Sequence, residues 1–348
     1  MKTRLLIASE DIDYGEHLSC FLSDKYAHTF DVNLCSSADQ LSNLLQHCRY
    51  DTALLEPELA AKNPLSSIAV PLLLCTDNTD VPELIKDLLK VQKYQRISAL
   101  SDEVISYYAK NTSRGHIPSS KETYITAVWS PAGGVGKTSV ALAYCAQKAS
   151  SGKEVLYLNL ESFSSIPVYF ADSGKSVSSI FEMLEKKDGN IDVLINGLRR
   201  KDETTGISYF CEPENYDDIN ILNIEDTSTL ISTCCRVTQE LVIDMSCACN
   251  KRSWQVFEHA DRVLIVVDNS KTSLVKLKQF ISQHNIFELI KSKCTIIANK
   301  GADIPDIIPD QSLTLPYVES TAHNDVYTKL STHALFWQAE HTDDNMLP

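Results

Sequence analysis

The chain has 348 residues, of which 43% are hydrophobic and 22% charged, and its formal net charge at pH 7 is −14. A chain of this length and apolar content can form two domains with hydrophobic cores. The negative charge argues against binding to nucleic acid, and the lack of a long apolar run argues against direct insertion into a membrane. The eleven cysteines include no Cys-x-x-Cys pair, and the opening apolar stretch is too short for a secretory signal. We therefore expect a soluble protein of a reducing cytoplasm.

Short apolar runs alternate with segments of helical pattern before residue 111. The runs that predict strands are Leu5–Ala8, Phe30–Leu34, Thr52–Leu55 and Val70–Leu74, and helical patterns cover 14–25, 37–46 and 81–89. This alternation predicts an α/β domain over residues 1–110, in which a parallel sheet is covered by helices on both faces. Residues 111–121 contain turn-forming residues with little periodicity, so we expect a linker there and a second domain over residues 122–348.

A glycine-rich segment opens the second domain. The apolar run Tyr124–Trp129 is followed by Ser-Pro-Ala-Gly-Gly-Val-Gly-Lys-Thr-Ser at positions 130–139 and then by an apolar helical pattern. A strand, a glycine-rich turn and a helix N-terminus in this order direct main-chain N–H groups and the helix dipole at one point, which suits a phosphate group. In such a P-loop, Lys137 contacts the β and γ phosphates and the Thr138 hydroxyl is a Mg²⁺ ligand. The predicted nucleotide-binding residues of this segment are Gly133, Gly134, Val135, Gly136, Lys137, Thr138 and Ser139.

The end of a later strand carries a carboxylate that suits the same site. Leu241–Met245 is apolar apart from Asp244, a residue placed to hold Mg²⁺ through water. Cys247 and Cys249 follow, and we interpret them as free thiols because their spacing does not fit a metal or iron–sulfur site. One alternative remains for the glycine-rich segment, since Pro131 stands where a P-loop usually begins with glycine. That alternative is a βα turn with a solvated lysine.

The Gly-Gly-Val-Gly-Lys-Thr core resembles the deviant P-loop of the ParA/MinD family of dimerising ATPases. The resemblance implies a P-loop domain with a mostly parallel sheet that binds ATP and Mg²⁺ and forms a homodimer with ATP at or near the interface. It also implies that Lys137, Glu161 and Asp244 are the candidate catalytic residues. Ala132 replaces the family's second lysine, and Asn159 replaces the first acid of its Asp-x-Asp motif. Glu161 would then position water, although a simple strand-end acid is the alternative, and we expect a slow ATPase or binding without hydrolysis.

The family resemblance extends to the adenine base. Thr295–Lys300 reads as a strand that ends near Asn299. In ParA/MinD proteins an asparagine at this point contacts the adenine edge, and an amide can both donate and accept hydrogen bonds there. Pro316 and Tyr317 match the loop that covers the base.

The first domain resembles a response-regulator receiver, whose site residues follow its strands. Glu10 and Asp11 follow the first predicted strand, Glu56 the third, Thr76 the fourth and Lys93 the fifth. Glu56 stands where receivers have the phospho-accepting aspartate, and its extra methylene would displace the attacking oxygen by about an ångström. We therefore expect a pseudo-receiver that docks partners and undergoes no phosphotransfer. The alternative is a flavodoxin-like domain with acids at solvated strand ends.

A receiver-like domain joined to a modified ParA-like ATPase resembles the TadZ/CpaE-like proteins, which mark a cell pole for Tad/Flp pilus assembly. The resemblance implies Tad pilus or polar-landmark partners and a cytoplasmic protein concentrated at a pole. A non-hydrolysing ATP-bound scaffold and a MinD- or ParA-type positioning or partition ATPase for another cargo are the alternatives. Leu335, Phe336 and Trp337 lie in an acidic tail, which favours docking against the domain over a membrane anchor.

Overall fold

The computed structural model describes residues 2–112, 123–171, 174–302, 312–319 and 323–332. Contacts divide the chain into unit 1, formed by Met1–Ile117 with Lys187–Leu198, and unit 2, formed by Pro118–Lys186 with Arg199–Pro348. The sequence-based boundary differs, because it places all of 122–348 in one domain. Most of the predicted linker lies outside the described residues, as do Leu335, Phe336 and Trp337.

Strands and helices alternate along much of the chain. The strands are β1 (Thr3–Ala8), β2 (Phe30–Cys35), β3 (Tyr50–Leu55), β4 (Ile68–Cys75), β5 (Leu89–Gln92), β6 (Tyr124–Trp129), β7 (Val155–Leu160), β8 (Arg200–Lys201), β9 (Ser208–Tyr209), β10 (Glu240–Met245), β11 (Arg262–Val267), β12 (Cys294–Ala298) and β13 (Ser312–Thr314). The α-helices are α1 (Ile12–Lys25), α2 (Ala38–His47), α3 (Pro57–Ala60), α4 (Ile97–Asn111), α5 (Lys137–Ser150), α6 (Ile166–Tyr169), α7 (Ser178–Lys186), α8 (Ile191–Leu198), α9 (Ile224–Cys235), α10 (Lys251–His259), α11 (Lys271–Ile281), α12 (His284–Ile290) and α13 (His323–Ser331).

Unit 1 contains a parallel sheet with the strand order β2-β1-β3-β4-β5. This is the 2-1-3-4-5 order of flavodoxin-like folds, whose ligand sites lie at the carboxyl ends of the strands. The helix predicted over 81–89 is wrong: the segment has only a 3₁₀ turn at Glu83–Ile85 and the first residue of β5. Its apolar residues do not share a buried face, since Leu84 is 83% exposed while Ile85 is buried. A helix there would place Leu84 on the same apolar stripe as Val81, Ile85 and Leu88, and the observed exposure of Leu84 does not fit that arrangement.

Helix α8 belongs to unit 1 although the chain supplies it from between two segments of unit 2. It packs against α4, and a Cβ at Gly197 would come within 2.5 Å of Ile105 Cγ2. Glycine therefore allows the two helices to approach closely, and a larger residue at position 197 would force Ile105 to move. The main-chain N–H of Asn190 also donates a 2.7 Å hydrogen bond to the Ala109 carbonyl.

Unit 2 contains a sheet with the order β13-β12-β11-β6-β10-β7-β9-β8, parallel except for the β8–β9 pair. Its central strands are apolar runs because both faces are covered, and every residue of β10 is buried. The chain continues from β6 to β7 on one side and from β10 to β11 on the other, so the strand order reverses at β6 and β10. Ligands of α/β proteins bind outside the carboxyl ends of the strands at such a reversal.

Both sheets confirm the predicted α/β class with doubly wound, mostly parallel sheets.

Local sequence sets several helix starts. Asp11, Ser37 and Ser270 each accept a main-chain N–H at the first turn of α1, α2 and α11, as short polar side chains do at helix caps. In the described ranges, no helix combines the length and apolar character needed to span a bilayer.

Candidate nucleotide-binding site

The glycine-rich segment lies between β6 and α5, as predicted from the sequence. Gly134 and Gly136 have φ angles of +76° and +91°, a region that L residues with side chains rarely adopt. Gly136 is the residue before the first turn of α5, which begins at Lys137 and includes Thr138 and Ser139. Gly133 and Gly134 are exposed, whereas Val135 is buried and anchors the turn in the core. The turn therefore leads an open main chain into a helix N-terminus, the geometry that binds phosphate.

The loop after β12 closes one side of this turn. The Asn299 amide nitrogen donates to the Val135 carbonyl at 2.9 Å, and Lys300 Nζ donates to the Gly134 carbonyl at 2.8 Å. A Cβ at Gly136 would collide with the Asn299 amide nitrogen, so the close approach requires glycine there. Asn299 thus supports the P-loop through its nitrogen, which leaves the predicted contact with adenine as a prediction.

The other two predicted base-binding residues lie next to this loop. Pro316 and Tyr317 are exposed, the latter by 69%. The Gly301 N–H donates to the Leu315 carbonyl at 2.8 Å, which fixes the start of the 315–319 segment beside the residues that follow β12. Their role in binding a base stays a prediction.

Lys137 lies at the centre of the candidate site. Its Nζ is 3.4 Å from Glu161 Oε1 and 3.5 Å from Cys247 Sγ, and its side chain is only 7% exposed. Burial alone acts to lower the pKa of Lys137, but the nearby negative charges, chiefly that of Glu161, outweigh burial and raise it. The ammonium therefore stays charged at neutral pH. The Cys247 thiol donates to the Ala132 carbonyl at 3.3 Å, which supports its interpretation as a free thiol.

Asp244 lies on β10 opposite Val128 of β6 and Asn159 of β7. The Tyr157 hydroxyl donates to Asp244 Oδ2 at 2.8 Å, and the Asn159 amide nitrogen donates to the Tyr157 oxygen at 3.0 Å. Asn159 Oδ1 accepts the Glu161 N–H at 2.9 Å. These contacts connect the carboxylate at the end of β10 with the main chain that carries Glu161.

Asp244 is fully buried, and within the described ranges its Oδ1 has no hydrogen-bond partner. Burial, followed by the negative charge of Glu161, raises the pKa of Asp244 to about 7, against the smaller lowering effects of the nearby Thr138, Tyr157 and Lys137. A buried carboxylate oxygen without a partner is costly unless a cation or an ordered water completes it. Thr138 and Asp244 therefore fit a hard cation such as Mg²⁺, which prefers oxygen ligands and retains several waters.

Unit 1 also collects polar side chains at the carboxyl ends of its strands. Lys93 Nζ lies 2.6 Å from Glu56 Oε1 and 3.3 Å from Asp11 Oδ2. Glu56 Oε1 also accepts from Ser9 Oγ at 2.8 Å, and Oε2 accepts the Glu10 N–H at 2.6 Å. The structure thus brings together the side chains of three of the five residues matched to a receiver, Asp11, Glu56 and Lys93, and the main-chain N–H of Glu10. The fifth, Thr76, instead hydrogen bonds Thr79 at 2.8 Å.

Sequence reasoning missed Tyr157 and Lys300. Tyr157 lies two residues before Asn159 in β7, so both side chains lie on one face of the sheet. The two-residue period of a strand could therefore have indicated that Tyr157 lies next to the site. Lys300 directly follows Asn299, but its contact with Gly134 depends on a left-handed main chain, with φ of 60° at Lys300 and 67° at Gly301. The sequence of that loop gives no clear sign of this turn.

Solved structures show what this arrangement is similar to. One is a ParA family ATPase from Chlorobium tepidum TLS, with 18% identity, a TM-score of 0.50, and coverage of 62% of this chain and 95% of that chain. The matched part of this chain shares the fold of that ATPase. MinD from Pyrococcus horikoshii OT3, solved with Mg-ADP, is 14% identical over 60% of this chain and 95% of its own, with a TM-score of 0.47. The MinC:MinD complex of Aquifex aeolicus is 16% identical over 65% of this chain and 98% of its own, with a TM-score of 0.47.

No family model matches the sequence, and no curated protein matches it either. The likeness to the Chlorobium protein confirms the predicted P-loop ATPase fold.

Proposed function

We propose that this protein binds MgATP at the turn between β6 and α5 and forms a homodimer when ATP is bound. The observation that carries the proposal is a buried carboxylate oxygen, Asp244 Oδ1, without a partner in the described residues, in the same site as the Lys137 ammonium and a glycine turn. Lys137 would neutralise the phosphates, while Thr138 and Asp244 would hold Mg²⁺. The ion would shield the negative charge of the phosphates.

Hydrolysis is proposed to be slow or absent. Ala132 is buried and carries no cation, and Asn159 is neutral and already engaged with Tyr157 and the Glu161 main chain. The nearest analogue of the missing cation is the arginine finger of GTPases, which is worth about 10³ to 10⁵ in rate. Glu161 can still orient water, because its carboxylate is partly exposed next to Lys137.

We further propose a TadZ-like role, in which the dimer marks a cell pole for pilus assembly and unit 1 docks partner proteins as a pseudo-receiver. The support is the 2-1-3-4-5 sheet of unit 1 and the positions of Asp11, Glu56 and Lys93 at its strand ends. Glu56 is engaged by Lys93, Ser9 and the Glu10 main chain, which favours docking over phosphotransfer.

The proposal is tested on the purified full chain. Nucleotide that co-purifies is identified by chromatography, the shift in melting temperature is measured with MgATP and MgGTP, and the mass in solution is measured with and without MgATP. We expect stabilisation by MgATP and a doubling of mass. No stabilisation by either nucleotide at millimolar concentration would overturn nucleotide binding, while stabilisation of a monomer would overturn dimerisation alone.

A further inference from the structure

Asn159 stands where the resembling family has an acid, and its hydrogen bonds explain why an amide fits. Tyr157 is 1% exposed, and its hydroxyl donates its single proton to Asp244 Oδ2 at 2.8 Å. The phenolic oxygen can then only accept a further hydrogen bond. Its other partner must therefore be a donor, and Asn159 Nδ2 supplies one at 3.0 Å.

A second contact fixes which end of the Asn159 amide faces Tyr157. The Glu161 main-chain N–H lies 2.9 Å from Asn159 Oδ1 and can only donate. The oxygen of the amide must accept that hydrogen bond, so the nitrogen points at the tyrosine. With Asp244 ionised, each of the three hydrogen bonds therefore has one possible direction, from Glu161 N–H to Asn159, from Asn159 to Tyr157, and from Tyr157 to Asp244.

We propose that Asn159 is a positioning residue that acts through Tyr157. The two side chains hold the Asp244 carboxylate in one orientation, with Oδ2 bound to the tyrosine and Oδ1 left for the water shell of Mg²⁺. The inference rests on the proposed MgATP binding. Asn159, which by sequence only replaces an acid of the family's motif, supplies the donor that the Tyr157 oxygen needs.

An aspartate at position 159 would keep the acceptor for the Glu161 N–H but turn an acceptor oxygen toward the Tyr157 oxygen. The tyrosine proton could then satisfy one of two carboxylates, and the other would face a lone pair in a buried site. Two negative charges near one another also oppose each other's ionisation. The aspartate variant should thus bind Mg²⁺-nucleotide less well, although it restores the family's residue.

The test compares ATP affinity in excess Mg²⁺ with ATP affinity in EDTA, and the ratio of the two is the magnesium-dependent gain. Calorimetry on the full chain measures it for the unchanged protein, Tyr157→Phe, Asn159→Asp and the double variant. We expect each single variant to lower the gain roughly tenfold, since a hydrogen bond to a charged group has about that effect. The double variant should lower it little further than the stronger single variant, because both residues act on one carboxylate.

Thr238→Val is the matched control. Thr238 is buried before β10 begins, at the opposite end of the strand from the site, and its hydroxyl donates to the Glu154 carbonyl at 2.6 Å. It should lower the melting temperature like Tyr157→Phe, by about 3 to 10 °C, yet keep the magnesium-dependent gain. A purely structural role for Tyr157 would make the two variants behave alike.

Three results would overturn the inference: a gain unchanged within about twofold in Tyr157→Phe, an equal loss of gain in Thr238→Val, or a larger gain in Asn159→Asp. Each of these leaves MgATP binding by the unchanged protein intact. If the unchanged protein does not bind MgATP, the proposed function fails first and the inference falls with it, so the two failures are distinguishable.

Discussion

Both sheets of this chain have carboxylates at the carboxyl ends of their strands, but the hydrogen-bond partners of these carboxylates differ. In unit 1, Glu56 receives an ammonium, a hydroxyl and a main-chain N–H from the chain itself. In unit 2, Asp244 receives the Tyr157 hydroxyl on one oxygen, while the other has no hydrogen-bond partner in the described residues. A carboxylate with its own cation is a structural contact, whereas a buried oxygen without a partner indicates a ligand.

The largest expected effect comes from Lys137→Ala, which removes the ammonium from the candidate nucleotide-binding site of unit 2. At a nucleotide concentration a hundredfold above the dissociation constant, binding stabilises a protein by about 2.7 kcal/mol, and we expect this stabilisation to disappear. Melting curves with and without MgATP measure it. Lys186→Ala is the control, because Lys186 is exposed and pairs with Glu182 along its own helix. Full MgATP protection of Lys137→Ala would contradict the site.

Lys93→Met removes the ammonium that pairs with Glu56 in unit 1. Burial acts to lower the pKa of Lys93, but its contact with Glu56 outweighs burial and raises it, so the lysine is charged in the folded protein. Loss of one partner from a buried pair typically costs about 3 kcal/mol or more. Hydrogen exchange of peptides from β3 and β5 measures the loss of stability, and MgATP affinity should be unchanged.

The control for Lys93→Met is Lys86→Met, which breaks an exposed pair with Glu83 in the same unit. Such surface pairs contribute about 0 to 1 kcal/mol. Equal destabilisation by both variants would show that the Lys93 ammonium does not stabilise the buried Glu56 carboxylate. The proposed difference between the carboxylates of the two units would then be wrong.

The pH dependence of stability sharpens the description of Asp244. Because burial and the charge of Glu161 raise its pKa from 3.8 to about 7, the folded chain retains a proton that the unfolded chain loses. The contribution of Asp244 to stability should therefore fall as pH rises from about 4 to about 7 and then level off. The measurement is the melting temperature of the unchanged chain minus that of Asp244→Asn, in EDTA, since asparagine does not titrate; we expect this value to fall over that pH range. A value that rises with pH would contradict the assignment.

The smallest expected effect is the absence of phosphotransfer in unit 1. Incubation with acetyl phosphate should leave the mass of the intact protein unchanged, because Glu56 is held by Lys93, Ser9 and the Glu10 main chain. Mass spectrometry measures it, with a phosphorylatable receiver as the positive control. A phosphate on Glu56 or Asp11 would show that these contacts do not prevent phosphotransfer and that the pseudo-receiver proposal is wrong.

The sequence predicted the elements whose residues act locally. The glycine turn, the helix start at Lys137 and the strand that carries Asp244 follow from apolar periodicity and from residues with special main-chain freedom. The 81–89 segment was mispredicted, because its apolar residues fit a helical period but do not face one core. The roles of Asn299, Pro316 and Tyr317 toward a base stay predictions.

By itself, the sequence determined the α/β class, the P-loop and the strand ends that carry charge, since these depend on neighbouring residues along the chain. The tertiary structure alone decided that α8 packs with unit 1, that Lys93 pairs with Glu56, and that the Tyr157 hydroxyl bridges the side chains of Asn159 and Asp244. Each of these depends on which distant strands become neighbours and on which side chain reaches a given oxygen first. Hydrogen bonds and ion pairs act over a few ångströms, so only the folded chain settles whether a carboxylate is completed from within or left for a ligand.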